Sequence, residues 1–174
     1  MDLKGKHFLT CDDWSNEELE LVFERSFELK KEFYEEKPHL YLPHKTLFMI
    51  FFEQSTRTRN SMEAGMTQLG GHAHDLTADK MQLSHGESAK DTAIILSRMG
   101  HGIASRNCFY GIGADYLSEM AKHSTNPVMS LQDDIYHPFQ GLADLMTIFE
   151  KFGKNPKGLK VTVSWAYADT HSKP

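Results

Sequence analysis

The residues best suited to chemistry in this sequence form one short run, Ser55-Thr56-Arg57-Thr58-Arg59. It stands between a continuous apolar stretch, 46–52, typical of a strand buried on both faces, and a segment with apolar residues at helical spacing. A helix that begins directly after such a strand directs free backbone amides and the positive end of its dipole at an anion. Arg57 can bind phosphate oxygens in a fork, and the neighbouring hydroxyls add further donors. The run therefore predicts a phosphate site.

A structural interpretation of the same run is also open. Serine and threonine are common helix caps, so Ser55 and Thr56 could simply cap the helix that follows them. In that case Arg57 and Arg59 would be solvated and would bind no ligand.

A second run, His137-Pro138-Phe139-Gln140, leads into the last predicted helix, where a proline in the first turn is well tolerated. In this order the two runs resemble the Ser-Thr-Arg-Thr-Arg and His-Pro-x-Gln signatures of the aspartate and ornithine carbamoyltransferases. The resemblance spans nearly the whole chain and includes Leu3-Lys4-Gly5-Lys6, Gln68-Leu69-Gly70-Gly71-His72, Gly86-Glu87-Ser88 and Ala143-Asp144-Leu145.

The resemblance implies a role for each residue of the two runs. The phosphate group of carbamoyl phosphate would be bound by Ser55, Thr56, Arg57 and Thr58. The catalytic residues implied are Thr58, Arg106, His137 and Gln140.

Among these, Arg106 matches an arginine that contacts both phosphate and carbonyl, and it follows a short predicted strand. Thr58, Arg106 and His137 would stabilise negative charge on the carbonyl oxygen, and Gln140 would accept hydrogen bonds from the carbamoyl nitrogen. Gln82 matches a loop that family members insert into the active site of a neighbouring subunit, which implies a homotrimer. No cofactor is implied.

The activity implied is transfer of the carbamoyl group from carbamoyl phosphate to the amine of an ornithine-like acceptor, with release of phosphate. Two other functions stay open: a stand-alone or catalytically silent module that only binds carbamoyl phosphate, and a structural subunit. The tail departs from the Gly-Asp-rich turn and asparagines usual in ornithine carbamoyltransferases, since it has Val163-Ser164-Trp165-Ala166-Tyr167. Here the chain is similar to knotted family members that use acetylated or succinylated ornithine, and to related carbamoyltransferases of unsettled acceptor.

Alternating strand and helix patterns must position these residues. Strands are predicted at 46–52, 72–76, 102–105 and 127–130, and helices at 16–38, 57–69, 88–99, 114–123 and 138–152. The first helix begins with a capping box, Ser15-Asn16-Glu17-Glu18. The alternation predicts a doubly wound α/β fold, with a mainly four-stranded parallel sheet and helices on both faces.

The chain is predicted to divide at residue 152. Residues 1–152 would form the carbamoyl-phosphate-binding domain, and 153–174 a linker and the first strand, 159–166, of a second α/β domain that is missing or truncated. The acceptor amine would bind through that second domain, so we expect residues 1–174 to be inactive by themselves.

Composition and charge limit the classes of partner and the cellular location that the sequence predicts. With 19 basic and 24 acidic residues the net charge is −5 and the charges are interspersed, which predicts no nucleic-acid partner. No apolar run is long enough to predict a membrane span or a secretion signal, and Cys11 and Cys108 lie far apart, which favours the cytoplasm. His72-x-His74 has no second ligand pair nearby, so no metal site is predicted.

Overall fold

The computed structural model describes residues 2–164. Four strands lie within these residues: β1 (Thr46–Phe51), β2 (His72–Thr77), β3 (Gly102–Asn107) and β4 (Val128–Asp133). The α-helices are α1 (Asn16–Tyr34), α2 (Arg57–Gln68), α3 (Ala89–Met99), α4 (Gly113–His123) and α5 (Pro138–Phe152). Short 3-10 helices span Cys11–Asp13, Ala78–Lys80 and Gln82–His85.

All four strands are parallel and lie in the order β2-β1-β3-β4. Successive residues of β1 point to opposite faces of the sheet, and both faces are covered. Phe48 and Ile50 join a core with α3 and α4, whereas Leu47 and Met49 join a second core that α2 and α5 help to cover. The predicted doubly wound α/β sheet with helices on both faces is therefore confirmed.

The strand order creates a crevice between β1 and β3. The helix after β1, α2, packs on one face of the sheet through Met62 and Met66, and the helix after β3, α4, packs on the other through Leu117 and Met120. Because the two connections leave in opposite directions, the carboxyl ends of β1 and β3 are left open between them, and ligands bind at such switch points.

The segment before α1 extends the sheet, which the sequence pattern did not predict. The backbone of Phe8 bridges that of Met129 in parallel and its side chain is buried. The Phe8 ring also contacts the Phe139 ring at 5.3 Å between centroids, which links this segment to the first turn of α5. After it, α1 starts with the predicted capping box at Ser15.

The strand predicted at 159–166 is not formed in its described part. Residues 159–164 have no regular secondary structure, and Val163 is 92% exposed. A strand needs a neighbouring strand to pair its backbone groups, and none of the described strands lies beside this segment. Residues 165 and 166, and the tail sequence that follows, lie outside the described residues. No helix in the described part of the chain is long and apolar enough to cross a membrane.

Candidate active site

Helix α2 begins at the carboxyl end of β1 without a side-chain cap. Thr56 stands at the N-cap position in a helical conformation, and its side chain makes no capping hydrogen bond. The first amides of the helix are therefore not satisfied by this hydroxyl, as they would be in an ordinary cap. The purely structural interpretation of Thr56 as a cap is wrong.

Two arginines lie in the first turn of α2, where the helix dipole disfavours positive charge. Arg59 is neutralised within the fold: it forms an ion pair with Asp75, and its guanidinium lies 4.1 Å from the centroid of the Phe51 ring. Arg57 is exposed and forms no salt bridge with any described residue. An anionic ligand would supply the negative charge that Arg57 does not find among the described residues.

Arg57 opens onto a cavity of about 640 Å³ at the switch point. The cavity is lined by Gln54, Ser55, Thr56, Arg57, Thr58, Ser61, Met62, Arg106, Leu131, Gln132, His137, Phe139 and Gln140. The structure thus brings together every predicted site residue except Gln82, which is exposed on the short helix Gln82–His85, outside the cavity.

Arg106 reaches the cavity at an irregular point of the sheet. The register between β3 and β4 shifts between Ser105 and Arg106, so that Ser105 pairs with Ser130 but Arg106 pairs with Gln132. Such a bulge changes the direction of a side chain and is frequent beside active sites. The Nε atom of Arg106 is buried and has no hydrogen-bond partner among the described residues.

Glu53 holds the two loops of the crevice together, a role that the sequence analysis missed. Its Oε1 accepts a hydrogen bond of 2.9 Å from the backbone amide of Cys108, and the amide of Phe52 donates to the carbonyl of Arg106. The loop after β1 is therefore tied to the end of β3. Its place two residues before Ser55, at the end of the apolar run, was the only signal for Glu53 in the sequence.

His137 caps α5 with its own side chain. Its Nδ1 accepts a hydrogen bond of 3.4 Å from the backbone amide of Gln140. Burial, and then the nearby Arg106 charge, lower the pKa of His137 below its ordinary value of 6.5, so the ring is neutral at neutral pH. A neutral ring that accepts at Nδ1 carries its proton on Nε2, which makes that nitrogen a hydrogen-bond donor.

Gln140 lies three residues after His137, in the first turn of α5. Its Nε2 donates a hydrogen bond of 2.9 Å to Oδ1 of Asp144, four residues along the helix. With the amide nitrogen engaged in this way, Oε1 is the free group and can only accept.

The cavity combines two kinds of groups. Two guanidiniums and no carboxylate lie among its lining residues, which suits a phosphate dianion. A neutral imidazole and a primary amide lie at the α5 side, which suits an uncharged polar group. Six further lining residues were not predicted, and Leu131 and Gln132 could have been expected because β4 ends at the same edge of the sheet as β1 and β3.

The paired histidines of β2 lie elsewhere. The rings of His72 and His74 are 6.3 Å apart, centroid to centroid, on the edge strand of the sheet. Across residues 2–164, no three or more histidine, cysteine or acidic side chains are grouped as a metal ion requires.

Comparison with known proteins agrees with this geometry. The family described as "Aspartate/ornithine carbamoyltransferase, carbamoyl-P binding domain" matches residues 6–150. The ornithine carbamoyltransferase of Halalkalibacterium halodurans is 43% identical over 151 residues, which cover 87% of this chain and 46% of that protein.

Solved structures give the same result. That of the Pyrococcus furiosus ornithine carbamoyltransferase superposes with a TM-score of 0.83 at 41% identity, covering 88% of this chain and 48% of that one. An acetylornithine transcarbamylase complexed with acetylcitrulline has a TM-score of 0.74 at 30% identity, covering 85% and 48% of the two chains. The chain spans about half the length of the curated relatives it matches.

Proposed function

The chain belongs to the aspartate/ornithine carbamoyltransferase family, of which it carries the carbamoyl-phosphate-binding domain, and from this premise we propose that the whole protein transfers a carbamoyl group to an ornithine-like amine. The observation that carries the proposal is the N-terminus of α2, which has no side-chain cap and whose Arg57 lines the same cavity as Arg106 without a salt bridge to any described residue. These groups match a phosphate dianion in charge and in hydrogen-bonding capacity.

The phosphate end of the ligand is assigned to the first turn of α2. Ser55, Thr56 and Thr58 offer hydroxyls, the backbone offers amides, and Arg57 offers two parallel N–H donors. Arg106, whose Nε lacks a partner among the described residues, approaches from β3. Negative charge that builds up on the departing phosphate would be stabilised by these fixed donors.

The carbamoyl end is assigned to the start of α5. The Nε2–H of His137 would donate to the carbonyl oxygen together with Thr58 and Arg106, and Oε1 of Gln140 would accept from the carbamoyl nitrogen. A carbamoyl group has one acceptor and one donor side, and this arrangement complements both. The lowered pKa of His137 supports a donor role for the neutral ring rather than proton transfer by an imidazolium.

The reaction follows from this placement. The lone pair of the acceptor amine forms a bond to the carbonyl carbon, the carbonyl oxygen becomes negative, and the bond from that carbon to the phosphate oxygen then breaks. Phosphate departs with the electron pair of that bond, and the proton lost from the amine nitrogen ends on the phosphate, which leaves as the hydrogen phosphate dianion. Charge on the carbonyl oxygen is met by donors already in place, so the protein need not supply a covalent intermediate.

The acceptor is proposed to bind beyond residue 152. All residues assigned to carbamoyl phosphate within this chain precede α5 or lie in its first turn, and 153–174 offer a linker to a second, acceptor-binding domain. An ornithine-like acceptor is supported by the ornithine carbamoyltransferases among the relatives. The expectation of an acetylated or succinylated ornithine rested on 163–174, nearly all outside the described residues.

Gln82 is proposed to act in a neighbouring subunit of a homotrimer. Its exposure on the short helix Gln82–His85, outside the cavity of its own chain, is compatible with this role. Sedimentation would give the oligomeric state. Mixing Gln82→Ala with Arg57→Ala chains should then restore strong binding of carbamoyl phosphate at some sites, and mixed trimers that bind no better than either parent would contradict a shared site.

We also propose a cytoplasmic location, which the free cysteines Cys11 and Cys108 support.

Calorimetric titration of the chain with carbamoyl phosphate and with inorganic phosphate tests the proposed function. We expect one saturable site for both, with tighter binding of carbamoyl phosphate. Absence of saturable binding at low ionic strength would overturn the proposal.

A second assay measures ureido product from ornithine, acetylornithine, succinylornithine and putrescine, against a control without protein. We expect no product from residues 1–174 alone, because orientation of the amine supplies a large part of the rate in a two-substrate transfer. Clear turnover would show that the acceptor site lies within these residues and that the division at residue 152 is wrong. A module that only binds carbamoyl phosphate differs from the proposed enzyme because it would give no product either as residues 1–174 or as a longer chain that includes the proposed second domain.

A further inference from the structure

The amide of Gln140 has no intrinsic preference for the orientation that the proposed site requires. Its oxygen and its nitrogen are nearly equal in size, and a half-turn of the amide exchanges an acceptor for a donor. Only the acceptor orientation complements the –NH2 of a carbamoyl group. Some other group must therefore select the orientation.

Asp144 is placed to make this selection. Its Oδ1 lies 2.9 Å from Nε2 of Gln140, and a carboxylate can only accept, so the amide nitrogen is held toward Asp144 and Oε1 is directed away from it. Asp144 is not among the residues that line the cavity. It is exposed, and its bond to Gln140 is the only side-chain hydrogen bond that it makes with the described residues.

The same turn of α5 orients the second polar group. The backbone amide of Gln140 donates to Nδ1 of His137, which directs the Nε2–H of the ring to the opposite side. One donor and one acceptor are thus presented by neighbouring side chains of a single helical turn. Each is set by a hydrogen bond on its far side: His137 accepts one from the helix backbone, and Gln140 donates one to Asp144.

We propose that Asp144 is a positioning residue that fixes the Gln140 amide with its oxygen toward the ligand, and so makes the site select a carbamoyl phosphate over an acyl phosphate of the same shape. The inference rests on the proposed function and deepens it. Acetyl phosphate has a methyl group where carbamoyl phosphate has –NH2, and a site built to bond that –NH2 discriminates against the analogue that lacks it. Inorganic phosphate uses neither Gln140 nor Asp144.

Calorimetric affinities for carbamoyl phosphate, acetyl phosphate and inorganic phosphate test the inference. In Asp144→Ala the preference for carbamoyl over acetyl phosphate is expected to fall by about 2- to 12-fold, the range for one hydrogen bond, while phosphate affinity changes no more than in the control. Asp144→Glu keeps an acceptor carboxylate within reach and is expected to retain the preference. Asp115→Ala removes an exposed carboxylate from α4 and controls for the change in net charge.

The outcomes separate the inference from the proposed function. If Gln140→Ala loses the preference for carbamoyl phosphate but Asp144→Ala keeps it, the positioning role of Asp144 is overturned and the function stands. If the unaltered chain binds phosphate without preferring carbamoyl phosphate, the roles of both residues are overturned. If it binds no phosphate, the proposed function itself fails. Melting temperatures check that each variant is folded, and Asp144→Glu provides the second measurement should Asp144→Ala not fold.

Discussion

Replacing Arg57 by alanine should weaken the binding of phosphate ligands without destabilising the fold. Arg57 lines the cavity, is exposed and makes no salt bridge within the described residues, so its removal breaks nothing in the free protein. It also removes a positive charge from the start of α2, where the helix dipole disfavours it. The energetic loss should therefore be confined to the complex with the ligand.

The size of the effect follows from the exposure of Arg57. A hydrogen bond to a charged group contributes about 1.5 to 3 kcal/mol, which corresponds to about a 10- to 150-fold loss of affinity. We expect a value in the lower half of this range, because solvent screens an exposed pair. The loss should also shrink when ionic strength is raised, since salt screens exposed charges over about 10 Å at 0.1 M.

Arg59 provides a matched control two residues away on the same helix. Its side chain is 20% exposed, forms an ion pair with Asp75 and stacks on Phe51, and it does not line the cavity. Arg59→Ala should lower the free energy of unfolding by about 1 to 2 kcal/mol, as an ion pair and a cation–π contact are lost. That corresponds to a fall in melting temperature of about 2 to 8 °C.

Calorimetry with carbamoyl phosphate and thermal melts of the three proteins measure both effects. The expected result is a crossed pattern, in which Arg57→Ala loses affinity and Arg59→Ala loses stability. Unchanged affinity in folded Arg57→Ala would remove this residue from the site. An equal loss of affinity in both variants would show that the charge of the whole helix end acts, rather than direct contact by one guanidinium.

Three further outcomes test the fold around the site. Nδ1 of His7 accepts a hydrogen bond from the amide of Val128, and burial lowers the pKa of His7 below its ordinary value of 6.5, so stability present above pH 6.5 should be lost as the pH falls below that value. His7→Gln should therefore show a smaller fall in melting temperature on acidification than the unaltered chain. Equal falls would contradict this. Asp134→Ala should lower the urea midpoint more than Asp134→Asn does, because the carboxylate of Asp134 accepts from two backbone amides at the start of α4; equal midpoints would exclude that role. Ser15→Ala should lower the free energy of unfolding by about 1 kcal/mol in urea denaturation, since it removes the cap that accepts from Glu18, and no change would show that the cap contributes nothing.

Much of the secondary structure was predictable from residues close together in the chain. The apolar run at 46–52, the helical spacing after Arg57 and the capping box at Ser15 each record interactions within a few residues. Helix α5 begins at Pro138, as predicted, because proline fits the first turn of a helix. The strand at 159–166 was predicted by the same local rules, but a strand also needs a pairing partner, which local sequence does not report.

The sequence indicated which residue types form the candidate site, and the fold brings those residues together. The Ser-Thr-Arg run indicated a phosphate ligand by itself, and family resemblance selected Arg106, His137 and Gln140 from more distant parts of the chain. These residues converge on one cavity because the strand order β2-β1-β3-β4 places the ends of β1 and β3 side by side. The register shift at Arg106, and the hydrogen bond that Glu53 accepts from Cys108 between the two loops, are likewise contacts between distant parts of the chain. Strand order is set by how all the helices pack on the two faces of the sheet, a free energy summed over the whole chain. Residue types and local periodicity were therefore determined by the sequence alone, whereas the neighbours of each side chain, and hence its charge state and hydrogen bonds, were decided only by tertiary structure.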